Sequence, residues 1–152
     1  MSVTVDASVA VKWFVSEPRH EEARLLSDPD IERYAPTFLV IECANALWKK
    51  VHRGEIADLT PTFEALLNLP EAVAFHPTRD LLARAGQLAV ALGHPVYDCL
   101  YLACAEATES VLVTDDRRLR RVARRSLPGL EVWSLEDLGS IRRPGLGPHP
   151  LQ

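Results

Sequence analysis

The sequence predicts an α/β fold, a parallel β-sheet sandwiched between helices in three layers. Three observations carry that expectation. Short runs of strand-forming residues, Val3–Val5, Ala72–Phe75, Val111–Thr114 and Glu131–Trp133, recur along the chain. Between them lie segments of helical length and pattern, and strands alternating with helices build parallel sheets covered on both faces. Two of the strand runs end directly on aspartate, at Asp6 and at Asp115-Asp116. That edge of an open α/β sheet, beyond the carboxyl ends of its strands, is where ligands bind.

Taken in order, Val3–Val5 is the first strand and the apolar run Ser8 to Val15 the first helix, broken by Pro18. His20–Leu26 reads as a second short helix, stopped by Asp28-Pro29, and a weak strand signal follows at Arg33–Ala35. Phe38 to His52 is a long amphipathic helix closed by Arg53-Gly54. Thr60–Leu67 is a further helix, with Thr60 as N-cap and Pro61 as its first residue. After the strand at Ala72–Phe75, Arg79–Leu92 forms a helix with Gly93 at its stop. Pro95–Ala105 is helical and apolar nearly all round, and Val111–Thr114 is a buried strand. An arginine-rich helix, the strand Glu131–Trp133 and a turn at Leu135–Leu138 complete one domain, residues 1–138. The glycine- and proline-broken segment 139–152 reads as a disordered tail.

Length and composition suit a single core without metal or disulfide staples: 152 residues, 47% of them hydrophobic. No apolar run reaches the ~20 residues of a membrane span. Met1-Ser2 has no basic region and Asp6 interrupts the apolar segment, unlike a signal peptide. The expected location is therefore the cytoplasm, with no membrane partner. Cys43, Cys99 and Cys104 form no CxxC pair and the histidines no HxxxH pair, so reduced thiols are expected and zinc is not. The net charge of -4 hides a strong local contrast, because six arginines fall within Arg117 to Arg125, directly after Asp115-Asp116. An acidic spot beside a basic patch suits a metal-dependent enzyme acting on polyanions.

Four acids are hard to explain structurally. Asp6 alone reads as readily as a helix cap. Glu42 stands in the apolar stretch Phe38–Trp48, with Asn45 on the same helical face; pairing with Lys49 or facing solvent are its plain alternatives. Asp98 lies near the start of an apolar helix, where it could cap or favour the dipole. Asp115 or Asp116 could cap the arginine helix. Ionised carboxylates in such surroundings are costly unless paired or bound to metal, and four coincidences favour a shared cause. Converging carboxylates suit hard cations such as Mg²⁺ or Mn²⁺. A cation so held can orient a water and stabilise charge on a phosphoryl oxygen. Metal-assisted phosphodiester hydrolysis follows.

The residues Val3-Thr4-Val5-Asp6-Ala7-Ser8-Val9-Ala10-Val11-Lys12-Trp13-Phe14, then Glu42 with Asn45, then Tyr97-Asp98-Cys99-Leu100-Tyr101-Leu102-Ala103, then Leu112-Val113-Thr114-Asp115-Asp116 resemble a PIN domain. The likeness is to the VapC-type toxins of toxin–antitoxin pairs and spans about Val3 to Leu135. It implies a PIN-like three-layer fold and a Mg²⁺- or Mn²⁺-dependent endoribonuclease acting on an RNA such as tRNA or rRNA. It also implies a homodimer inhibited by a cognate VapB-type antitoxin. Carried over singly, Asp6 is the central metal ligand and Asp98 the second. Glu42 is a further ligand or positions the water, and the fourth acid is Asp116 rather than Asp115. Ser8, Asn45 and Thr114 support the carboxylates by hydrogen bonding, with Asp115 beside them, and capping of the first helix passes to Ser8. Where some members carry one more acid this chain has Arg118, which puts a second metal in question.

Arg117, Arg121, Arg124 and Arg125 could line one side of their helix as phosphate contacts, or form a solvated face. Trp13, Phe14, Trp48 and Trp133 read as core or interface rather than stacking platforms. Two rival functions remain. One is a phosphatase using Asp6 as nucleophile, although such enzymes have Asp-x-Asp where this chain has Asp6-Ala7-Ser8. The other is a non-catalytic RNA- or partner-binding domain.

Overall fold

The computed structural model describes residues 1–140. Five strands form one parallel sheet: β1 (Ser2–Val5), β2 (Glu32–Pro36), β3 (Ala74–His76), β4 (Val111–Val113) and β5 (Val132–Trp133), in the order β3-β2-β1-β4-β5. The central strand β1 pairs Val3 with Arg33 on one side and with Val111 on the other. Val3, Thr4 and Val5 are all fully buried, as a parallel strand covered on both faces must be. Strand order reverses between β1 and β4, so their carboxyl ends flank a crevice.

Eight α-helices cover the sheet: α1 (Ala7–Ala10), α2 (His20–Arg24), α3 (Phe38–His52), α4 (Thr60–Leu67), α5 (Thr78–Leu92), α6 (Val96–Ala107), α7 (Arg117–Ser126) and α8 (Leu135–Ser140). The three-layer parallel arrangement is the one the alternation predicts. Helix α6 crosses β1, β2 and β4, and α5 packs along it. Its residues Cys99 through Ala105 are all buried, which explains why that segment is apolar all round. On α3 the buried stripe is Leu39, Cys43 and Leu47, one turn apart, while Ile41 and Trp48 point outward.

Some boundaries differ for local reasons. The first helix is only one turn of α-helix, followed by a 3₁₀ turn at Val11–Trp13. The amide of Thr60 is capped by the Asp58 carboxylate at 2.9 Å, so Thr60 is the first helical residue and not the cap. Gly93 stops α5 with φ of +60°, a left-handed turn that costs glycine little. Helix α8 extends to Ser140, two residues into the segment expected as a tail, and 141–152 lie outside the described residues. All three cysteines are buried and free. No single described helix is long and apolar enough to cross a membrane.

Candidate active site

The carboxyl ends of β1 and β4 are stapled together around Asp6. The amide of Asp6 donates to the Val113 carbonyl at 3.4 Å, continuing the sheet one residue past β1. Its carboxylate accepts from Ser8 Oγ at 2.6 Å and from the Val9 amide at 3.3 Å on Oδ1, and from the Thr114 hydroxyl on Oδ2. Each hydroxyl also accepts a backbone N–H, from Asp115 at 2.9 Å for Ser8 and from Asp116 at 3.0 Å for Thr114. Those acceptances leave each hydroxyl proton free to point at Asp6. Capping therefore stays with Asp6 itself. Ser8, expected as the cap, instead orients the capping carboxylate.

Asp6 is only 4% exposed. Burial raises its carboxyl to about 7, opposed by the Ser8 and Thr114 hydrogen bonds and assisted by the negative charge of Glu42. The same influence runs along the whole set of acids. Glu42, on α3, is pushed up by burial and then by Asp98, against the lowering effect of a hydrogen bond from Tyr101. Asp98, on α6, is pushed up by burial and by Asp116, against His94 and the more distant charge of Arg118. Asp6 thus feels Glu42, Glu42 feels Asp98 and Asp98 feels Asp116, a row of acids linked by charge. Four different elements supply them.

Asp116 caps α7, its Oδ1 accepting the amides of Arg118 at 2.8 Å and Leu119 at 2.9 Å. Asp115 belongs to a different system. Its carboxylate lies 3.5 Å from Lys12 Nζ and 3.4 Å from Arg19 Nη1. Lys12 also reaches Glu17 at 3.1 Å, Glu17 reaches Lys50 at 2.6 Å, and Arg19 continues to Glu136. This chain of charges ties the loop after α1 to α3, to the β4 edge and to α8. Asp115 is spent there, which separates the two adjacent aspartates by role.

Not every expected residue joins the site. Glu42 neither pairs with Lys49 nor faces solvent freely, since the Tyr101 hydroxyl donates to its Oε2. Asn45 is exposed and hydrogen-bonds none of the described carboxylates, so the support expected of it is not seen. Arg117, Arg121 and Arg125 are exposed. Arg124 is exposed as well but engaged: its guanidinium donates to the Val132 carbonyl at 2.8 Å and to Asp137 at 2.9 Å, pinning α7 to β5 and α8. Trp13 and Trp133 donate to Ala23 O and Glu131, whereas Trp48 is half-exposed and stacked on His52 at 5.4 Å.

Three neighbours of the acids were not singled out from the sequence. Tyr101 follows Asp98 by one helical turn, His94 precedes it by one, and Lys12 is a lone cation in the apolar run after Asp6. Spacing to an acid was the signal available for each. Asp98 Oδ2 lies 2.9 Å from His94 Nε2, a contact that misses hydrogen-bond alignment, so both imidazole nitrogens are buried without a hydrogen-bond partner.

The donors in this row are oxygens throughout, the kind that hard divalent cations take. Three of the carboxyls are raised, by burial first and by a neighbouring acid second, and both costs are ones a cation would relieve. Among the described residues no three His, Cys, Asp or Glu side chains already stand close enough to hold one. Asp6 uses three of roughly four lone-pair positions in hydrogen bonds, leaving one direction open.

Comparison with known proteins bears on the fold and its family. A family model described as PIN domain matches residues 3–125. Ribonuclease VapC3 of Pyrobaculum aerophilum is 33% identical over 121 residues, covering 78% of this chain and 92% of the relative. A crystal structure of a protein from the same organism superposes with a TM-score of 0.63 at 24% identity, covering 91% of this chain and 95% of that one. A toxin–antitoxin complex from Klebsiella pneumoniae contains a chain with a TM-score of 0.58 at 15% identity, covering 88% and 97%.

Proposed function

We infer the function from the premise that this chain belongs to the PIN-domain family: it is an endoribonuclease, the toxin of a toxin–antitoxin pair, hydrolysing RNA phosphodiester bonds with a divalent cation, Mg²⁺ or Mn²⁺. The observation that carries this reading is the row Asp6–Glu42–Asp98–Asp116, in which the first three carboxyls are raised by burial and, secondarily, each by the negative charge of the acid after it. Structural pairing would be expected to lower carboxyl values. Raised ones at a sheet edge mark a functional site.

Asp6 and Asp98 would hold the cation, with Glu42 and Asp116 as further ligands or as the groups that position the attacking water. Ser8 and Thr114 keep the Asp6 carboxylate in one orientation. A divalent cation held there would supply positive charge for the developing phosphoryl oxyanion and would lower the pKa of an attacking water. The exposed Arg117, Arg121 and Arg125 offer phosphate contacts on the helix that Asp116 caps, so RNA reaching the acids would cross that face.

The same reading includes a cytoplasmic location, a homodimer and a VapB-type antitoxin partner. The family relative named as a ribonuclease supports the activity, and the Klebsiella pneumoniae complex, named as toxin–antitoxin, supports the partner. Ile41 and Trp48 on α3 and Leu67 on α4 leave apolar surface for such contacts.

The test is cleavage of RNA by purified protein with Mn²⁺ or Mg²⁺ and with EDTA, comparing wild type with Asp6→Asn and Asp98→Asn. Cleavage is expected only with cation and only in the wild type. Undiminished cleavage by both variants sinks the site. Cation binding without cleavage of any RNA favours the non-catalytic binding domain instead.

A further inference from the structure

His94 occupies the corner between α5 and α6. Gly93 turns the chain out of α5, and Pro95 is the N-cap residue of α6. The backbone of His94 is used: its amide donates to Ala89 O at 3.2 Å, and its carbonyl faces the Cys99 thiol at 3.9 Å. The ring has no such account. Its side chain is 2% exposed, and neither nitrogen has a hydrogen-bond partner.

An imidazole buried in that way loses its hydration without replacement. A leucine would fill the same corner without that cost. One polar group is near enough to compensate, the Asp98 carboxylate, whose Oδ2 is 2.9 Å from Nε2. His94 lies just before the N-cap of α6 and Asp98 is the helix's third residue, so their contact spans its first turn. Asp98 has the least support of the raised carboxylates: among the described residues no serine, threonine or tyrosine hydroxyl reaches it, unlike Asp6 and Glu42. Its side chain is 23% exposed, so without the imidazole it would be free to change rotamer.

We propose that His94 is a positioning residue for Asp98, holding one carboxylate oxygen from the core side so that the other is presented to a divalent cation. This rests on the reading of Asp98 as a ligand. Ligating side chains are commonly steered by such outer contacts, and losing one typically weakens metal affinity 10–100-fold.

The experiment is a calorimetric titration of Mn²⁺ into full-length protein without RNA, for wild type, His94→Leu, His94→Gln and Asp98→Asn. His94→Leu is expected to lose affinity by about tenfold. His94→Gln, whose amide nitrogen can reach the Nε2 position, is expected to recover most of it. Leucine binding Mn²⁺ as well as histidine does, or glutamine no better than leucine, overturns the proposal. If Asp98→Asn keeps wild-type affinity, the ligand reading itself fails, a distinct outcome. Should His94→Leu not fold, the imidazole NMR signals of wild type decide. They are expected to shift on adding Mg²⁺, and not in Asp98→Asn; no shift in wild type overturns the proposal.

Discussion

The hydroxyl of Tyr101, a residue 2% exposed in the middle of α6, donates its hydrogen bond to Glu42 Oε2 on α3. That bond joins the helix carrying Asp98 to the helix carrying Glu42. It also opposes the burial that raises the Glu42 carboxyl, since a hydrogen bond to the charged form favours it.

Tyr101→Phe removes only the oxygen and leaves the ring packed. A half-buried carboxylate that loses its donor is expected to cost about 1–3 kcal/mol. The loss should be larger at pH 8 than at pH 5, because the bond favours the ionised form of a carboxyl that burial pushes up. Urea denaturation at the two pH values checks this. An equal effect at both would mean the bond does not discriminate protonation states.

Asp6 gives a pH dependence of opposite sense to ordinary acid denaturation. Its carboxyl moves from 3.8 to about 7 on folding, so between those values the folded state binds more proton than the unfolded state. Stability from this group is full below the unfolded value and is lost as pH rises through about 7. Glu42 and Asp98 shift in the same direction. In EDTA the melting temperature should therefore fall from pH 5 to pH 8, and Asp6→Asn should flatten that fall. Added Mn²⁺ competes with protons for the same carboxylates, so its stabilisation should be greater at pH 8. A melting temperature in EDTA that climbs over that range contradicts the assignment.

The two adjacent aspartates should separate cleanly. Asp115→Ala leaves Lys12, 9% exposed, with Glu17 but without its second carboxylate, and is expected to destabilise by about 1–3 kcal/mol. Asp116→Asn keeps a side chain able to cap α7, where asparagine caps as well as aspartate. Its stability should stay within about 0.5 kcal/mol, while RNA cleavage falls at least tenfold if Asp116 serves the cation or the water. Thermal melts beside a cleavage assay read both effects. Reversed results would exchange the roles.

Much of the sheet was legible because strands such as Val3–Val5 and Val111–Val113 are short apolar runs set between helices, whereas β2, Glu32–Pro36, is mixed in character and gave only a weak signal. Asp6, Glu42 and Asp98 stood out in the sequence as charges in segments whose neighbours are mostly apolar. What was not legible is where a side chain ends up once elements from distant parts of the chain meet. Tyr101 and His94 read as ordinary members of an apolar helix and its approach; only the packing of α6 between α3, α5 and the sheet turns them toward Glu42 and Asp98. Asn45 failed for the converse reason. Sharing a face with Glu42 on α3 says nothing about which way that face meets the row, and Asn45 falls on its exposed margin.

The arginine helix sharpens the same lesson into a test. One face carries Arg117, Arg121 and Arg125, exposed and four residues apart, whereas Arg124 is engaged with Val132 O and Asp137. Phosphate contacts contribute affinity that weakens with salt, each neutralised phosphate on a single strand adding about 0.7 to the slope of log affinity against log salt. The triple variant Arg117→Ala, Arg121→Ala, Arg125→Ala should therefore bind single-stranded RNA more weakly and with a slope lower by about 2, at unchanged melting temperature. Arg124→Ala should do the reverse, keeping the slope and losing about 1 kcal/mol of stability through its broken bonds to β5 and α8. Fluorescence anisotropy with a catalytically impaired Asp6→Asn background, measured across salt concentrations, separates the two. If the triple variant binds RNA with the wild-type slope, that face is only solvated and RNA reaches the acids by another route.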